Sequence, residues 1–293
     1  MKLNPAGCTF QPLIIIGAAR SGTKLLRDLI ELHPEIDKVP YDVNYVWRIG
    51  NEHLEHDELS PQTVTKNAQQ RIQQQIGRFS QKAPVLVEKT VSNCLRVPFT
   101  DAVYPDARYI HLVRDGYDVV ESVYRQWTRS PDWTYLLQKA KTFPVRTAPR
   151  YAATYAGNMA KRLFLPDSKK SRSWGPRYQE IDADLQSKSL LEVCAIQWMQ
   201  CINSATRDFA TLSEPQDNQR VLTIRYESFV EDPLACLEKV ATFIDLDPTL
   251  YQTVSLPKVE KNNIGKGTQS LNSQQIDLIT PIIKQTNAEI ALI

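Results

Sequence analysis

The chain has 293 residues, enough for one large α/β domain or two smaller ones with a substantial core. Hydrophobic residues make up 42% and charged residues 23%, as is ordinary for a soluble protein, and the net charge of +2 alone indicates no polyanion partner. Five cysteines without CxxC pairs predict reduced thiols, which excludes a disulfide framework and a zinc cluster. The apolar run near the N-terminus is too short for a signal peptide or a membrane span, so the expected location is the cytoplasm.

The first chemical signal lies between Leu13 and Leu26, where an apolar run ends at Gly17 and a helical pattern follows. Residues 13–16 are bulky and uninterrupted, which predicts a strand buried on both faces of a parallel sheet. Gly17 and Gly22 allow a tight turn, so backbone N–H groups and the positive end of the next helix would face one point. The stretch therefore predicts a phosphate-binding loop, with an ordinary glycine turn as the alternative.

The loop resembles a P-loop but departs from it after the second glycine. The P-loop pattern requires Lys and then Ser or Thr there, whereas Gly22 is followed by Thr23, Lys24 and Leu25. Because Leu25 stands where a magnesium-binding hydroxyl would be, metal-dependent triphosphate chemistry lacks one of its parts. A nucleotide kinase or triphosphatase is therefore a disfavoured alternative.

Strands and helices alternate along the rest of the chain, which predicts a three-layer, P-loop-like α/β fold with a mainly parallel sheet and helices on both faces. We expect one domain over residues 1–293, with an irregular, proline-rich insertion at about 128–189. Three further strands are predicted at 85–90, 108–114 and 220–226, and helices at 25–32, 61–79, up to Tyr104, 118–127, 191–209, 234–244 and after Ser270, the second of them capped by Ser60.

A second anion site is predicted where the 108–114 strand ends. Arg114 lies at that end and Ser122 lies in the helix that follows. Ligands bind at strand ends of parallel sheets, where an arginine can hold a phosphate and a serine can add a hydrogen bond. Two anion sites at one sheet edge favour a ligand with two phosphate-like ends. The alternative for Arg114 is an ion pair with Asp115 or Asp118.

Together, GAARSGTKLL and YIHLVRDGYDVVESV resemble the 5′-phosphosulfate loop and the 3′-phosphate motif of the sulfotransferases that use 3′-phosphoadenylyl sulfate (PAPS). VEKTVSN, PDAR and IRYESFVEDP match the order and spacing of such enzymes, especially those that modify carbohydrates and protein tyrosines. The resemblance spans residues 12–128 and 190–270. It implies transfer of the sulfuryl group from PAPS to a hydroxyl of a carbohydrate, a phenol or tyrosine, or another metabolite. The product would be adenosine 3′,5′-bisphosphate (PAP). A nucleotide-binding protein without transferase activity is the remaining alternative.

The resemblance also implies which residues bind the nucleotide. The 5′-phosphosulfate would be held by Arg20, Ser21, Gly22, Thr23 and Lys24, and the 3′-phosphate by Arg114 and Ser122. Tyr226 would lie near the nucleotide, and a late loop, EKNNIGKGT at residues 260–268, would close over it with Lys261, Gly265 and Lys266.

Sulfuryl transfer requires an in-line acceptor oxygen, a base for its proton, and cations for the charge that develops. A sulfuryl group carries less charge than a terminal phosphoryl group, so fixed Lys and Arg side chains suffice and no metal is expected. Lys89, at the end of the second predicted strand, is the expected cation, with Arg20 or Lys24 assisting. A surface Lys89 paired with Glu88 is the alternative.

Asp42 is the expected base, because relatives carry a glutamate near this position after the HP turn. Glu35 and Asp37 lie nearer the helix end and are expected to be solvated. His111 is expected to pack in the core and His33 to cap its helix, so each is a minor alternative.

The acceptor side is expected in a basic segment between residues 123 and 178, which holds twelve Lys and Arg against two acidic residues, together with many aromatic residues. This composition predicts a lid over a small-molecule or glycan acceptor, including an anionic one. A solvated insertion is the alternative. A nucleic-acid surface has a similar composition, but no nucleic-acid-binding fold accompanies it.

Overall fold

The computed structural model describes residues 10–128, 174–212 and 220–292. Within these ranges, five parallel strands form one sheet in the order β2-β3-β1-β4-β5. The strands are β1 (Gln11–Ile16), β2 (Ile36–Lys38), β3 (Val85–Glu88), β4 (Arg108–Val113) and β5 (Val221–Arg225).

Helices cover both faces of the sheet. They are α1 (Thr23–Ile30), α2 (Asn44–Trp47), α3 (Lys66–Gly77), α4 (Val97–Val103), α5 (Gly116–Thr128), α6 (Ile181–Ser187), α7 (Leu190–Leu212), α8 (Tyr226–Glu231), α9 (Pro233–Phe243), α10 (Lys266–Ser270) and α11 (Ser273–Ala291).

The alternation of side chains along the central strand explains the three layers. Ile14 and Ile16 of β1 join a core with α3, α4, α5, α7 and α11, whereas Leu13 and Ile15 join a second core with α1, α8 and α9. Successive strand residues point to opposite faces, so an uninterrupted apolar run is the expected pattern for a sheet covered on both sides. The predicted three-layer α/β fold is confirmed.

The structure corrects three predicted boundaries. β2 was not expected as a strand, because its three residues include only one buried apolar side chain, Ile36. Helix α3 begins at Lys66 with Thr65 as its cap, whereas Pro61–Thr63 forms a short 3-10 turn. Helix α6 lies inside the segment expected to be irregular. Residues 129–173 of that segment, which hold most of the expected acceptor lid, lie outside the described residues.

The parallel arrangement determines where a site can form. Because all five strands run in the same direction, the loops after β1, β3, β4 and β5 open at one edge of the sheet. β1 lies between β3 and β4, so the loop after β1 is flanked by the segments that begin with Lys89 and Arg114.

In the part of the chain that the structure describes, no helix is long and apolar enough to cross a membrane. Cys94, Cys194, Cys201 and Cys236 are free thiols there, as the scattered cysteine pattern predicts.

Candidate functional site

The loop after β1 turns sharply at residues that favour such a turn. A side chain at Gly17 would place its Cβ 2.7 Å from the Leu112 carbonyl oxygen of β4, so only glycine fits there. Gly22 has φ +95° and is the N-cap residue of α1, and among the described residues no capping side chain accepts a hydrogen bond from the first N–H groups of this helix. The first N–H groups of α1 therefore face the loop with the positive end of the helix, as in anion-binding loops.

Side chains within this loop have different surroundings. The Ser21 hydroxyl is buried and donates to the Ala18 carbonyl at 2.5 Å, which stabilises the turn. Thr23 is also buried, whereas Lys24 is exposed and its Nζ lies 2.6 Å from Asp28 Oδ2 in an i, i+4 pair. In the structure, Lys24 is thus engaged with the outer part of α1.

Arg114, at the end of β4, is buried and makes several contacts. It donates from Nη1 to the Arg20 carbonyl at 3.1 Å and from Nη2 to the Asn263 carbonyl at 2.5 Å. Its guanidinium carbon lies 4.1 Å from the centre of the Tyr226 ring, a cation–π distance. The expected alternative, a pair with Asp118, is also present at 3.5 Å. Its Nε remains buried without a hydrogen-bond partner in the described structure.

The two predicted anion sites are in direct contact. Arg20 donates from Nε to the Ser122 hydroxyl at 3.0 Å, so the loop after β1 touches the helix after β4. A Cβ at Gly22 would lie 2.5 Å from carbons of the Tyr226 ring, which shows how closely the loop approaches that ring. Tyr226 is only 4% exposed and packs between Gly22 and Arg114. The structure thus brings these five predicted residues together.

The late loop is held on the first turn of α5 by a residue that sequence reasoning had assigned only as a partner of Arg114. The buried Asp118 carboxylate accepts hydrogen bonds from the N–H of Gly265 at 2.9 Å and of Gly267 at 2.7 Å. A Cβ at Gly267 would lie 2.2 Å from the Tyr117 carbonyl, so the loop packs directly on the helix. Lys261 is exposed and Lys266 half-buried beside this contact. An acidic residue in the first helical turn is a weak signal for such an anchor.

The expected cation and base also meet. Lys89 Nζ lies 3.6 Å from Asp42 Oδ2, and the Lys89 side chain is nearly buried whereas that of Asp42 is 36% exposed. Asp42 also accepts hydrogen bonds from the N–H of Asn44 at Oδ1 and of Val91 at Oδ2, both at 3.1 Å. Within the described ranges, the ion-pair partner of Lys89 is Asp42, so the alternative pairing with Glu88 is not observed.

The two histidines that are minor alternatives for the base are buried in structural contacts, and in the described part of the chain the two carboxylates expected to be solvated form no ion pair with Lys89. His111 is buried, and burial lowers its pKa to about 4. His33 is buried and accepts the N–H of Glu35 at 3.2 Å. Asp37 accepts the N–H groups of residues 81–83, while Glu35 is exposed. Within the residues that the structure describes, Asp42 remains the carboxylate paired with the expected cation.

Glu88 is the buried carboxyl group next to this pair, and sequence reasoning considered it only as a partner for Lys89. Thr90 donates to it at 2.5 Å and the Asn93 amide at 3.2 Å. Burial raises the pKa of Glu88 to about 7; the Thr90 hydrogen bond opposes this shift, and the charge of Asp42 adds to it. Nothing in the sequence around Glu88, which directly precedes Lys89, indicates that its carboxyl group is buried.

Replacement of Gly22 by alanine tests the contact between the loop and Tyr226. We expect Gly22→Ala to lower the free energy of unfolding by more than the roughly 1–2 kcal/mol that a left-handed alanine costs, because its Cβ also meets the ring. Gly50→Ala is the matched control, since Gly50 has φ +87° but its nearest neighbouring atom would be 3.5 Å away. Equal losses in urea unfolding would show that the contact is unimportant.

The raised pKa of Glu88 predicts a pH-dependent stability. A carboxyl group whose folded pKa exceeds its unfolded value stabilises the fold at low pH and loses that contribution as pH rises through about 7. Glu88→Gln removes this titration, so its unfolding free energy relative to wild type should rise by up to about 3 kcal/mol between pH 4.5 and 8. Thermal unfolding across this range measures the difference, and exposed Glu35→Gln should show no such trend.

The comparisons with known proteins agree with this geometry. The model of the sulfotransferase family matches residues 12–170, more than half of the chain. Among curated proteins, an uncharacterized protein of Aquifex aeolicus is 28% identical over 129 residues, covering 40% of this chain and 17% of that protein. A Caenorhabditis briggsae protein named "Putative protein-tyrosine sulfotransferase" is 24% identical over 121 residues, covering 39% of this chain and 43% of that protein. The chain spans less than half the length of either relative.

Solved structures show the same fold. A sulfotransferase from Alicyclobacillus acidocaldarius is 14% identical with a TM-score of 0.51, covering 96% of each chain. The sulfotransferase domain from the curacin biosynthetic pathway is 15% identical with a TM-score of 0.50, covering 94% of this chain and 98% of that one. On the match of the family model and these loop and strand-end motifs, the chain belongs to the sulfotransferase family.

Proposed function

We propose that this protein transfers the sulfuryl group of PAPS to a hydroxyl acceptor and releases PAP. The observation that carries the proposal is the contact between two anion-binding elements, the loop after β1 and the end of β4, through Arg20 with Ser122 and Arg114 with the Arg20 carbonyl. PAPS has a phosphosulfate at one end and a phosphate at the other, so one nucleotide can occupy both elements.

The residues at the site suit this nucleotide. The buried Nε of Arg114 lacks a partner in the described part of the chain, and a buried unpaired N–H is costly unless a ligand accepts it. A 3′-phosphate beside Ser122 would supply that acceptor. The N–H groups at the start of α1, with Arg20, Ser21, Gly22, Thr23 and Lys24, would hold the 5′-phosphosulfate. Tyr226 would support both ends, and Lys261, Gly265 and Lys266 would close the site.

Asp42 and Lys89 supply what the transfer step needs. Asp42 takes the proton of the acceptor hydroxyl while the acceptor oxygen forms a bond to the sulfuryl sulfur. The bond from sulfur to the bridging oxygen breaks, and its electron pair stays on the PAP phosphate. Lys89 and Arg20 offset the charge that develops on these oxygens. In this proposal fixed cations perform this role, because Leu25, the residue after the loop's lysine, has no hydroxyl to bind magnesium.

The acceptor is proposed to be a phenolic or carbohydrate hydroxyl. The name of the Caenorhabditis briggsae relative supports tyrosine-like acceptors. The basic and aromatic composition of residues 123–178 supports an acceptor with an aromatic or sugar face, an anionic one included. The scattered, reduced cysteines support the cytoplasm as the compartment.

Loss of the Arg114 guanidinium tests the two-ended site. Arg114→Ala should weaken PAP binding by about 1.5–3 kcal/mol, the scale of a charged hydrogen bond. Binding of 5′-AMP, which has no 3′-phosphate, should change much less. Titration calorimetry measures both ligands.

Arg125→Ala is the matched control, because Arg125 lies on α5 and is held by Glu121 at 2.8 Å. It should leave PAP binding unchanged. Equal losses for PAP and 5′-AMP in Arg114→Ala would contradict a 3′-phosphate role. Absence of PAP binding by wild type, with magnesium-dependent ATP binding instead, would overturn the proposed function in favour of a kinase or triphosphatase.

Substitution of the expected base and cation should affect turnover and not nucleotide affinity. Asp42→Asn and Lys89→Ala should each lower turnover by about a hundredfold or more, the range of general acid–base and electrostatic contributions. Turnover is measured with labelled PAPS and an acceptor that the wild-type protein sulfates. Glu35→Gln is the control, since Glu35 is exposed near the same turn. Unchanged turnover in Asp42→Asn would remove Asp42 as the base.

A further inference from the structure

A network of buried hydrogen bonds connects Glu88 with the segment that carries Asp42. Glu88 accepts the Thr90 hydroxyl at 2.5 Å, and Thr90 Oγ1 accepts the N–H of Val43, the residue after Asp42, at 3.1 Å. Glu88 is 2% exposed and Thr90 is fully buried. One arm of this network therefore joins Glu88, through Thr90, to the backbone N–H of the residue after Asp42.

A second arm of the network connects Glu88 with the Asp42 carboxylate through three further residues. The Asn93 amide donates to Glu88 Oε2 at 3.2 Å, and Arg96 Nε donates to Asn93 Oδ1 at 2.9 Å. Arg96 Nη2 in turn donates to Asn44 Oδ1 at 2.5 Å, and the N–H of Asn44 donates to Asp42 Oδ1 at 3.1 Å. The two arms form a closed ring that contains both Glu88 and the segment 42–44.

The position of Glu88 explains why this ring bears on the catalytic pair. Glu88 ends β3 and Lys89 follows it, and consecutive side chains of an extended segment point to opposite sides. Glu88 therefore enters the ring while Lys89 lies 3.6 Å from Asp42. The end of β3 therefore carries Lys89 itself and is connected to the segment of Asp42 through the hydrogen bonds of Glu88.

Burial of a carboxyl group destabilises a fold unless the group is hydrogen-bonded. Glu88 accepts hydrogen bonds from Thr90 and Asn93, and an apolar side chain would fill the same space without needing them. This indicates that the carboxyl group has a role other than packing. Charged groups facing Glu88 include Asp42 on the neighbouring segment, which raises its pKa, and Lys89, which lowers it. Arg96 is fully buried in the ring and is connected to Glu88 through Asn93.

We propose that Glu88, acting through Thr90 and Asn93, is a positioning residue that holds the Asp42 carboxylate opposite Lys89 for sulfuryl transfer. The proposal rests on the proposed function, because it assigns a purpose to the Asp42–Lys89 geometry. Glu88 is hydrogen-bonded to Thr90 and Asn93, and in the described residues no ion pair joins it to Lys89. Its effect is on the placement of the base, and misplacement by about 1 Å can cost roughly a hundredfold in rate.

A matched pair of substitutions at Thr90 tests the first arm. Thr90→Val keeps the shape of the side chain but removes both the donor to Glu88 and the acceptor for Val43, whereas Thr90→Ser keeps the hydroxyl. We expect Thr90→Val to lower turnover roughly ten- to a hundredfold with PAP affinity unchanged, and Thr90→Ser to retain most of the turnover. Equal turnover in the two variants, with both folded by thermal unfolding, would overturn the proposal.

Hydrogen–deuterium exchange gives a second measurement that does not require an acceptor. In Glu88→Ala, the amides of Val43, Asn44 and Val91 should exchange faster than in wild type, while those of the loop at 18–22 should not change. Unchanged protection at all three amides would overturn the positioning role. If the wild-type protein binds no PAP and transfers no sulfate, the proposed function fails, and the exchange result still reports on the ring by itself.

Discussion

The guanidinium of Arg114 joins the parts on which the rest of the site depends. It extends from the end of β4 to the carbonyl of Arg20 in the loop after β1, to the carbonyl of Asn263 in the late loop, and over the ring of Tyr226. These contacts satisfy the two terminal nitrogens and leave the buried Nε without a partner in the described part of the chain. Under the proposed function, the 3′-phosphate of the nucleotide would accept this N–H and so bind at the point where both loops meet.

The parallel sheet makes this arrangement possible. Burial on both faces requires uninterrupted apolar strands, and these end at one edge, where polar groups can be placed without disrupting the core. There Lys89 follows β3, the glycine-containing loop at 17–22 follows β1 and Arg114 follows β4. The short strand β2 adds the segment that carries Asp42. In this way the fold brings together groups that are far apart in the chain, such as Gly22 and Tyr226, whose positions differ by 204 residues.

The sequence allowed most of the fold to be predicted because four of the strands are short segments rich in bulky apolar residues. β2 was missed since three residues with one buried apolar side chain form no pattern. The beginning of α3 was misplaced because Ser60 and Pro61 resemble a helix start but form a 3-10 turn instead. The loop and strand-end motifs pointed to Arg20, Gly22, Arg114 and Ser122, which the structure brings into contact; their roles in binding stay predictions.

Contacts that depend on sheet order could not be derived from local patterns. Asp42 meets Lys89 because β2 pairs with β3, and nothing in either segment alone specifies that pairing. Asp118 anchors a loop about 150 residues later in the chain. Glu88 and Thr90 are hydrogen-bonded to each other inside a buried ring. Residue spacing in the sequence indicates none of these three contacts. Such groups are recognised only when their hydrogen-bond partners are known.

Sulfuryl transfer by the Asp42–Lys89 pair is measured as transfer of ³⁵S from labelled PAPS to a panel of phenols, tyrosine peptides, glycans and small metabolites. We expect a labelled acceptor and an equal amount of PAP, formed in the presence of a metal chelator. Binding of PAP without transfer to any acceptor class would contradict the assignment of Asp42 and Lys89 as a catalytic pair and would indicate a nucleotide-binding protein instead.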